Sequence, residues 1–339
     1  MILFTKKRVN NKMLKKIFIK ISRILGYEII DQNKFFSPTL NREINKNLDL
    51  NNDKSIVLPL GNVKITRKVN SILLILRTNT KVNIWNQNKK RVFDKPKFEY
   101  TYRSINSLVK SINYLKSKNK NINVELVIVD DNSEKEKLTK INEILINNNI
   151  NKKIINLDRN IFLDQIKNIN NYDTFGNLAS LLKCFNFAKE NTKDLVFFLE
   201  DDYIHFETML DEMISTYQRI SSQTKKELIL CPADYPYLYM ENRKTNIMIG
   251  SKRHWQIVDK SLCTFLTSKE IVINYWDNFF ETCKRQNHPF EKYLNEIYIK
   301  EYCLSPIKSL SIHLTNINSS YGISPFIDIK KIWEENKLL

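Results

Sequence analysis

Two short acidic segments carry most of the chemistry this sequence could perform. In FFLEDDY, Phe197–Tyr203, an apolar run ends in Glu200, Asp201 and Asp202. Three adjacent carboxylates repel one another unless a cation or strong hydrogen-bond donors neutralise them. Hard divalent ions take carboxylate oxygens and bridge to phosphates, so Mn²⁺ or Mg²⁺ is the natural occupant, and a solvated acidic helix cap is the plain alternative. In VELVIVDDNS, Val124–Ser133, a second apolar run ends in Asp130 and Asp131. A carboxylate there can accept hydrogen bonds from a base imide or a ribose hydroxyl. The alternative is that Asp131, Asn132 or Ser133 caps the following helix.

The elements around these segments alternate. SILLILR (71–77), VELVIV (124–129), KIINL (153–157), DLVFFLE (194–200) and ELILC (227–231) read as short buried strands. Helical spacing appears between them at 102–115, 134–146, 174–188 and 205–220. Such alternation predicts an α/β fold, a mostly parallel sheet flanked by helices. Ligands of these sheets bind outside the carboxyl ends of the strands. Both acidic clusters fall there. Beyond residue 231 the alternation fades into a mixed region with hairpin-like segments at 247–249, 255–258 and 262–266. Two helices follow at 269–280 and 290–301, then a last short strand, SLSIHL, at 309–314.

The sequence resembles the glycosyltransferase family 2 type of nucleotide-sugar transferase, which has a GT-A fold. The resemblance rests on the apolar strand Ser71–Asn79, on Asp130-Asp131-Asn132-Ser133 as an Asp-Asp-x-Ser motif, and on Glu200-Asp201-Asp202 as a DxD-type motif. It covers roughly residues 71–230, and more loosely the acceptor half to about 328. It implies a Rossmann-like nucleotide-binding half and a mixed acceptor half. It also implies that Asp131, beside Asp130, contacts the nucleotide base. Asp202 would bind the metal on the diphosphate, with Asp201 adjacent and Glu200 and His313 in the metal shell. Arg77 would help hold the diphosphate. Glu291, at the start of an acceptor-half helix, would serve as general base, with Glu296 and Asp259 behind it. Arg253-His254-Trp255 would form part of the acceptor side. The sequence departs from the family where Arg77-Thr78-Asn79-Thr80 replaces Pro-x-x-Asn, and where the helix at 174–188 lacks an arginine.

The chain has 339 residues, 42% of them apolar, enough for a sizeable core. It carries 54 Lys and Arg against 37 Asp and Glu, a net +17 that suggests an anionic partner. Nine of those basic residues fall within the first 34, against Glu28 and Asp31 alone. Residues 12–25 place Met13, Leu14, Ile17, Phe18, Ile21, Ile24 and Leu25 on one stripe, with lysines mostly opposite. That pattern suits an amphipathic helix at an anionic membrane surface, or one packed on the protein's own core. Five scattered cysteines without CxxC spacing support neither a disulfide framework nor a zinc site, and fit a reducing cytosol. No run is long enough for a membrane span and no signal peptide is apparent, so the expected location is cytoplasmic, peripheral on the inner face of the membrane.

The expected organisation is a basic helical segment at 1–35, a linker at 36–70, the transferase domain at 71–328, divided at 230/231, and a tail at 329–339. The expected function is metal-dependent transfer of a sugar, hexosyl in type, from a nucleotide-sugar donor, UDP-linked, to a glycan or lipid-linked acceptor. Inversion at the sugar and a place in surface polysaccharide or lipopolysaccharide assembly go with it. A nucleotidyltransferase would need a Gly-rich phosphate loop after the first strand, and none of the five glycines lies there. A nucleic-acid-binding protein would need basic residues interleaved with aromatics on the folded domain, whereas the strand tips are acidic.

Overall fold

The computed structural model describes residues 11–27, 63–81, 91–167, 169, 171–240, 242–315 and 320–338. The chain divides into two compact units, Met1–Val63 and Lys64–Leu339. In the first, helix α1 (Asn11–Ile24) is described, and most of the expected linker at 36–70 lies outside the described residues. On α1 the side chains of Leu14, Ile17, Phe18, Ile21 and Ile24 are exposed. No described helix is long and apolar enough to cross a membrane.

In the second unit, β1 (Ser71–Thr78), β2 (Asn123–Asp130), β3 (Lys152–Asn156) and β4 (Leu195–Glu200) form a parallel array in the order β3-β2-β1-β4. The near-continuous burial of β1, β4 and the second half of β2 explains why these segments read as unbroken apolar runs, with helices covering both faces, whereas edge strand β3 is only partly buried. Those helices are α2 (Lys97–Lys118), α3 (Lys135–Asn147), α4 (Tyr172–Asn191) and α5 (Met209–Thr224). The sheet continues through β9 (Phe265–Ser268), β6 (Leu228–Leu230), β10 (Tyr302–Pro306), β8 (His254–Ile257) and β7 (Ile247–Ile249), with mixed directions. A parallel half followed by a mixed half is the α/β arrangement expected from the sequence. A separate ribbon pairs β5 (Tyr203–His205) with β11 (Ser311–His313).

Four local features differ from the sequence reading. His205 ends β5 instead of opening a helix, and α5 starts at Met209. The helix expected at 269–280 breaks at Tyr275 into α6 (Lys269–Asn274) and α7 (Trp276–Lys284), and α8 follows at Lys292–Lys300. Strand β10 was missed because Ser305 and Pro306 dilute its apolar character. Residues 329–339, read as a tail, hold helix α9 (Ile329–Glu335), whose Trp333 is only 2% exposed. At two turns, α9 is too short to show a period.

Candidate active site

Strand register does the first part of the positioning. Thr78 lies opposite Asp130 and Arg77 opposite Glu200 in the parallel ladder. Thr78 Oγ1 accordingly donates to Asp130 Oδ1 at 2.7 Å, and Arg77 Nη2 meets Glu200 Oε1 at 2.6 Å. Asp130 Oδ2 also accepts the Ser133 N–H at 2.9 Å, and Ser133 Oγ accepts the Thr80 N–H at 2.9 Å. Asn132 completes this turn at φ 61°, a left-handed conformation that Asn tolerates better than most residues. Asp130 is thus a buried brace, its carboxyl pushed up by burial against these hydrogen bonds. Asp131, also buried, is left on the wall of a cleft.

Asp131 is gripped by a residue that sequence reasoning did not single out. Arg159 donates Nε to Oδ1 and Nη2 to Oδ2, both at 2.7 Å, a bidentate pair. Asn79 Nδ2 reaches Oδ2 at 3.3 Å. Arg159 follows the tip of β3 in a short turn capped by Asp158, stacks on Tyr172 at 3.8 Å, and donates to the Tyr172 carbonyl. On α4, Gly176 leaves the space this pair occupies: an added Cβ would lie 2.6 Å from Asp131 Oδ2 and closer still to the Arg159 guanidinium.

The other acids are disposed differently. Glu200 Oε1 is held by Arg77, and Oε2 accepts from Thr264 Oγ1 at 3.0 Å. Arg77 also donates to the Asn177 side chain; burial disfavours its charge, but Glu200 and the other groups around it together keep the guanidinium charged. Asp201 pairs with the buried Lys97 at 2.5 Å and accepts from Thr101 Oγ1 at 2.8 Å. Asp202 has neither kind of partner on Oδ1, which is buried without a hydrogen bond. Its Oδ2 faces His313 Nε2 at 3.6 Å. The β5–β11 ribbon sets this meeting, since His313 pairs in register with Tyr203 and the Leu314 N–H donates to the Asp202 carbonyl. Burial disfavours charge on Asp202, but His313 and Lys97 hold its carboxyl below the usual range.

His313 Nδ1 bonds the Tyr321 carbonyl at 2.9 Å and therefore carries a proton. Burial lowers and Asp202 raises the His313 pKa, with a net rise that favours a proton on Nε2 facing Asp202; once neutral, Nε2 has its lone pair on that side, a disposition found in metal-ligating histidines. The orphaned Asp202 Oδ1 and this lone pair fit a hard or borderline divalent cation. Glu200 does not complete the set: among the described residues no three His, Cys, Asp or Glu side chains gather as a metal site, because Arg77 and Thr264 occupy Glu200.

These tips border one cleft of about 640 Å³, whose wall includes Arg77, Asn79, Arg91, Lys97, Asp131 and Asp202. Asn177, Glu200 and Gln286 separate it from a second cavity of about 320 Å³, lined by Leu262, His288, Phe290, Glu291 and His313. Glu291 caps α8, and burial pushes its carboxyl up to about 7.

No protein-family profile matches the chain, and no curated protein does. Solved structures do. TarS 1–349 of S. aureus is 14% identical, covering 71% of this chain and 59% of its own, with a TM-score of 0.42. The galactosyltransferase LgtC, in complex with donor and acceptor sugar analogues, is 9% identical over 67% of this chain and 70% of its own, TM-score 0.33. A UDP-glucose pyrophosphorylase complexed with UDP-glucose is 8% identical over 72% of this chain and 93% of its own, TM-score 0.38. This chain therefore spans about three fifths of the TarS fragment. At such identities the likeness concerns the path of the chain alone.

Of the residues expected at the site, Arg77, Asp131, Glu200, Asp201 and Asp202 line the main cleft, and Glu291 and His313 line the adjoining cavity. Asp130 lies beneath. The runner-up bases are engaged elsewhere, Glu296 with Asn278 and Asp259 with Arg243. Arg253 pairs with Glu212, and neither it nor His254 lines either cavity. Arg159 carried a usable signal, since it follows the tip of the third parallel strand, and its partner Asp131 lies on the cleft wall. Lys97 and Gly176 gave none, because each acts through a contact about 45 or 100 residues away in sequence.

Proposed function

We propose that this chain is a metal-dependent, inverting glycosyltransferase. It would move a hexosyl group from a UDP-linked donor to a glycan or lipid-linked acceptor in surface polysaccharide or lipopolysaccharide assembly. One observation carries the reading: an acid with an orphaned buried oxygen, Asp202, lines a cleft of mixed charge, next to a cavity holding a carboxyl tuned to about 7. Catalytic bases work best with pKa values near the operating pH. On this reading Asp131, held by Arg159 on the cleft wall, would accept an imide N–H, with Asn79 beside it as a donor. The imide edge of uracil presents acceptor, donor and acceptor; the guanine edge does not.

On this reading Glu291 accepts the proton of the acceptor hydroxyl. The hydroxyl oxygen bonds to the anomeric carbon as the bond from that carbon to the diphosphate oxygen breaks. Arg77 and Arg91 face the leaving diphosphate, and fixed charges of this kind lower the barrier without reorganisation. A divalent cation held by Asp202 and His313 would supply further neutralisation of the diphosphate charge. Exposed apolar residues on α1, flanked by Lys16, Lys20 and Arg23, support work at an anionic membrane face.

Calorimetric titration of UDP, dTDP and GDP, with and without Mn²⁺, on wild type and Asp202→Asn tests the proposal. UDP binding that needs Mn²⁺ and is lost in the variant is expected. Absence of binding by every nucleoside diphosphate with Mn²⁺ present would overturn it.

A further inference from the structure

A small satellite core lies behind the cleft, formed by Tyr100, Ile204, Ile312, Leu314 and Trp333, with Phe93 packed against it. Its members sit beside site residues in sequence. Phe93 is two residues from Arg91, Tyr100 is adjacent to Thr101, Ile204 is two residues from Asp202, and Ile312 and Leu314 flank His313. Side chains of the cleft and of this core therefore leave the same short backbone segments, and Leu314 belongs to both. Whatever fixes the core fixes the cleft wall.

Trp333 is the shared contact. It stacks on Phe93 at 4.3 Å with 24° between planes and packs against Tyr100 at 4.7 Å, tilted by 59°. Arg103 lies over its indole at 4.0 Å and donates Nε to its carbonyl at 3.0 Å. Helix α9 is held to α2 by polar bonds as well, from Lys110 Nζ to the Glu335 carbonyl at 2.7 Å and from Asn106 Nδ2 to the Asn336 carbonyl at 3.1 Å. The segment 91–96 has no regular structure of its own and is tied down at Phe93. Tyr100 Oη accepts the Phe93 N–H at 2.8 Å and donates to the Phe93 carbonyl at 2.7 Å. Arg91 lies 5.2 Å from the Tyr100 ring and on the cleft wall.

We infer that α9 is a strap that sets the donor cleft from behind, with Trp333 as a positioning residue that acts through Phe93 on Arg91. The inference rests on the donor reading above for its functional consequence, though not for its mechanical one. An aromatic clamp that loosens lets the Arg91 segment sample other positions, and misplacement of a binding group by an ångström is enough to lose much of its effect.

The test has two arms. In the nucleotide-free protein, amide hydrogen exchange is compared between wild type, Trp333→Ala, Trp333→Phe and Phe93→Ala. The Phe93 N–H and its neighbours at 91–96 are expected to exchange roughly tenfold faster or more in both alanine variants, with β1 and β2 unchanged and Trp333→Phe close to wild type. In the second arm, UDP affinity with Mn²⁺ is measured for Trp333→Ala, Arg91→Ala and their combination. Each single change is expected to weaken binding about tenfold, and the double variant no more than about twofold further, because both act through one group. Phe93→Ala, at a partly buried residue, keeps the test usable if Trp333→Ala does not fold. Unchanged exchange at 91–96 overturns the strap, as do affinity losses that multiply in the double variant. If wild type binds no nucleoside diphosphate, the donor reading fails and the exchange arm alone decides.

Discussion

Replacing Gly176 with alanine separates two opposed effects. Gly176 lies inside α4, where exchanging glycine for alanine ordinarily stabilises a helix by about 1 kcal/mol. Here the new methyl would stand 2.6 Å from Asp131 Oδ2 and nearer still to Arg159 Nη2, well inside van der Waals contact. Arg159 is long and can swing aside, whereas the Asp131 side chain is short and 5% exposed. The bidentate pair therefore breaks. Leaving a buried charged acceptor poorly satisfied costs about 1–3 kcal/mol, which meets or exceeds the helix gain. For a unit of this size each kcal/mol moves the melting temperature by about 2–4 °C. The expected result is a melting temperature unchanged or a few degrees lower, together with at least tenfold weaker UDP binding by calorimetry. A variant that melts higher than wild type and binds UDP equally would refute both the packing argument and the role of the Asp131–Arg159 pair.

Glu291→Gln should lower the transfer rate by about 10²–10⁴ once a donor and acceptor are in hand, as removal of a general base does. The wild-type rate should fall as pH drops below about 7, because the carboxyl must be ionised to accept a proton, and the variant should lack that limb. Burial raises this carboxyl, so stability is lost as pH climbs from the unfolded value near 4.5 to about 7, and stays lost above. Glu291→Gln should therefore raise the melting temperature at pH 8 and leave it nearly unchanged at about pH 4; equal shifts at both would contradict the burial argument. Lys97→Met strands the buried Asp201 carboxylate and should cost about 3–5 kcal/mol in chemical denaturation, and Lys97→Met with Asp201→Leu should recover most of it. Vesicles rich in anionic lipid should bind the full chain in a salt-sensitive way, and Phe18→Glu with Ile21→Glu should abolish that binding; equal binding to zwitterionic vesicles would remove the electrostatic part of the argument.

The parallel half of the fold was legible because its strands are buried on both faces, so Ser71–Arg77, Val124–Val129 and Asp194–Glu200 read as apolar runs that end in polar tips. The acidic tips were legible for the same reason. What the sequence concealed is how each acid is partnered. Glu200, Asp201 and Asp202 look equivalent as a triplet, yet Arg77, Lys97 and His313 take one each. Those partners come from β1, α2 and β11, brought together by sheet register and by a two-strand ribbon too short to show a pattern. Arg159 and Gly176 form a steric match between two segments, which no periodicity reports. Helix α9 was hidden by length, since two turns with one tryptophan cannot show a repeat.

A crystal structure of the chain with UDP and Mn²⁺, with data collected at the manganese absorption edge, confronts the account most directly. It predicts one anomalous peak between Asp202 and His313, uracil against Asp131 and Arg159, and the diphosphate facing Arg77 and Arg91. A nucleotide seated elsewhere, or a manganese peak away from Asp202 with nucleotide bound, would contradict it.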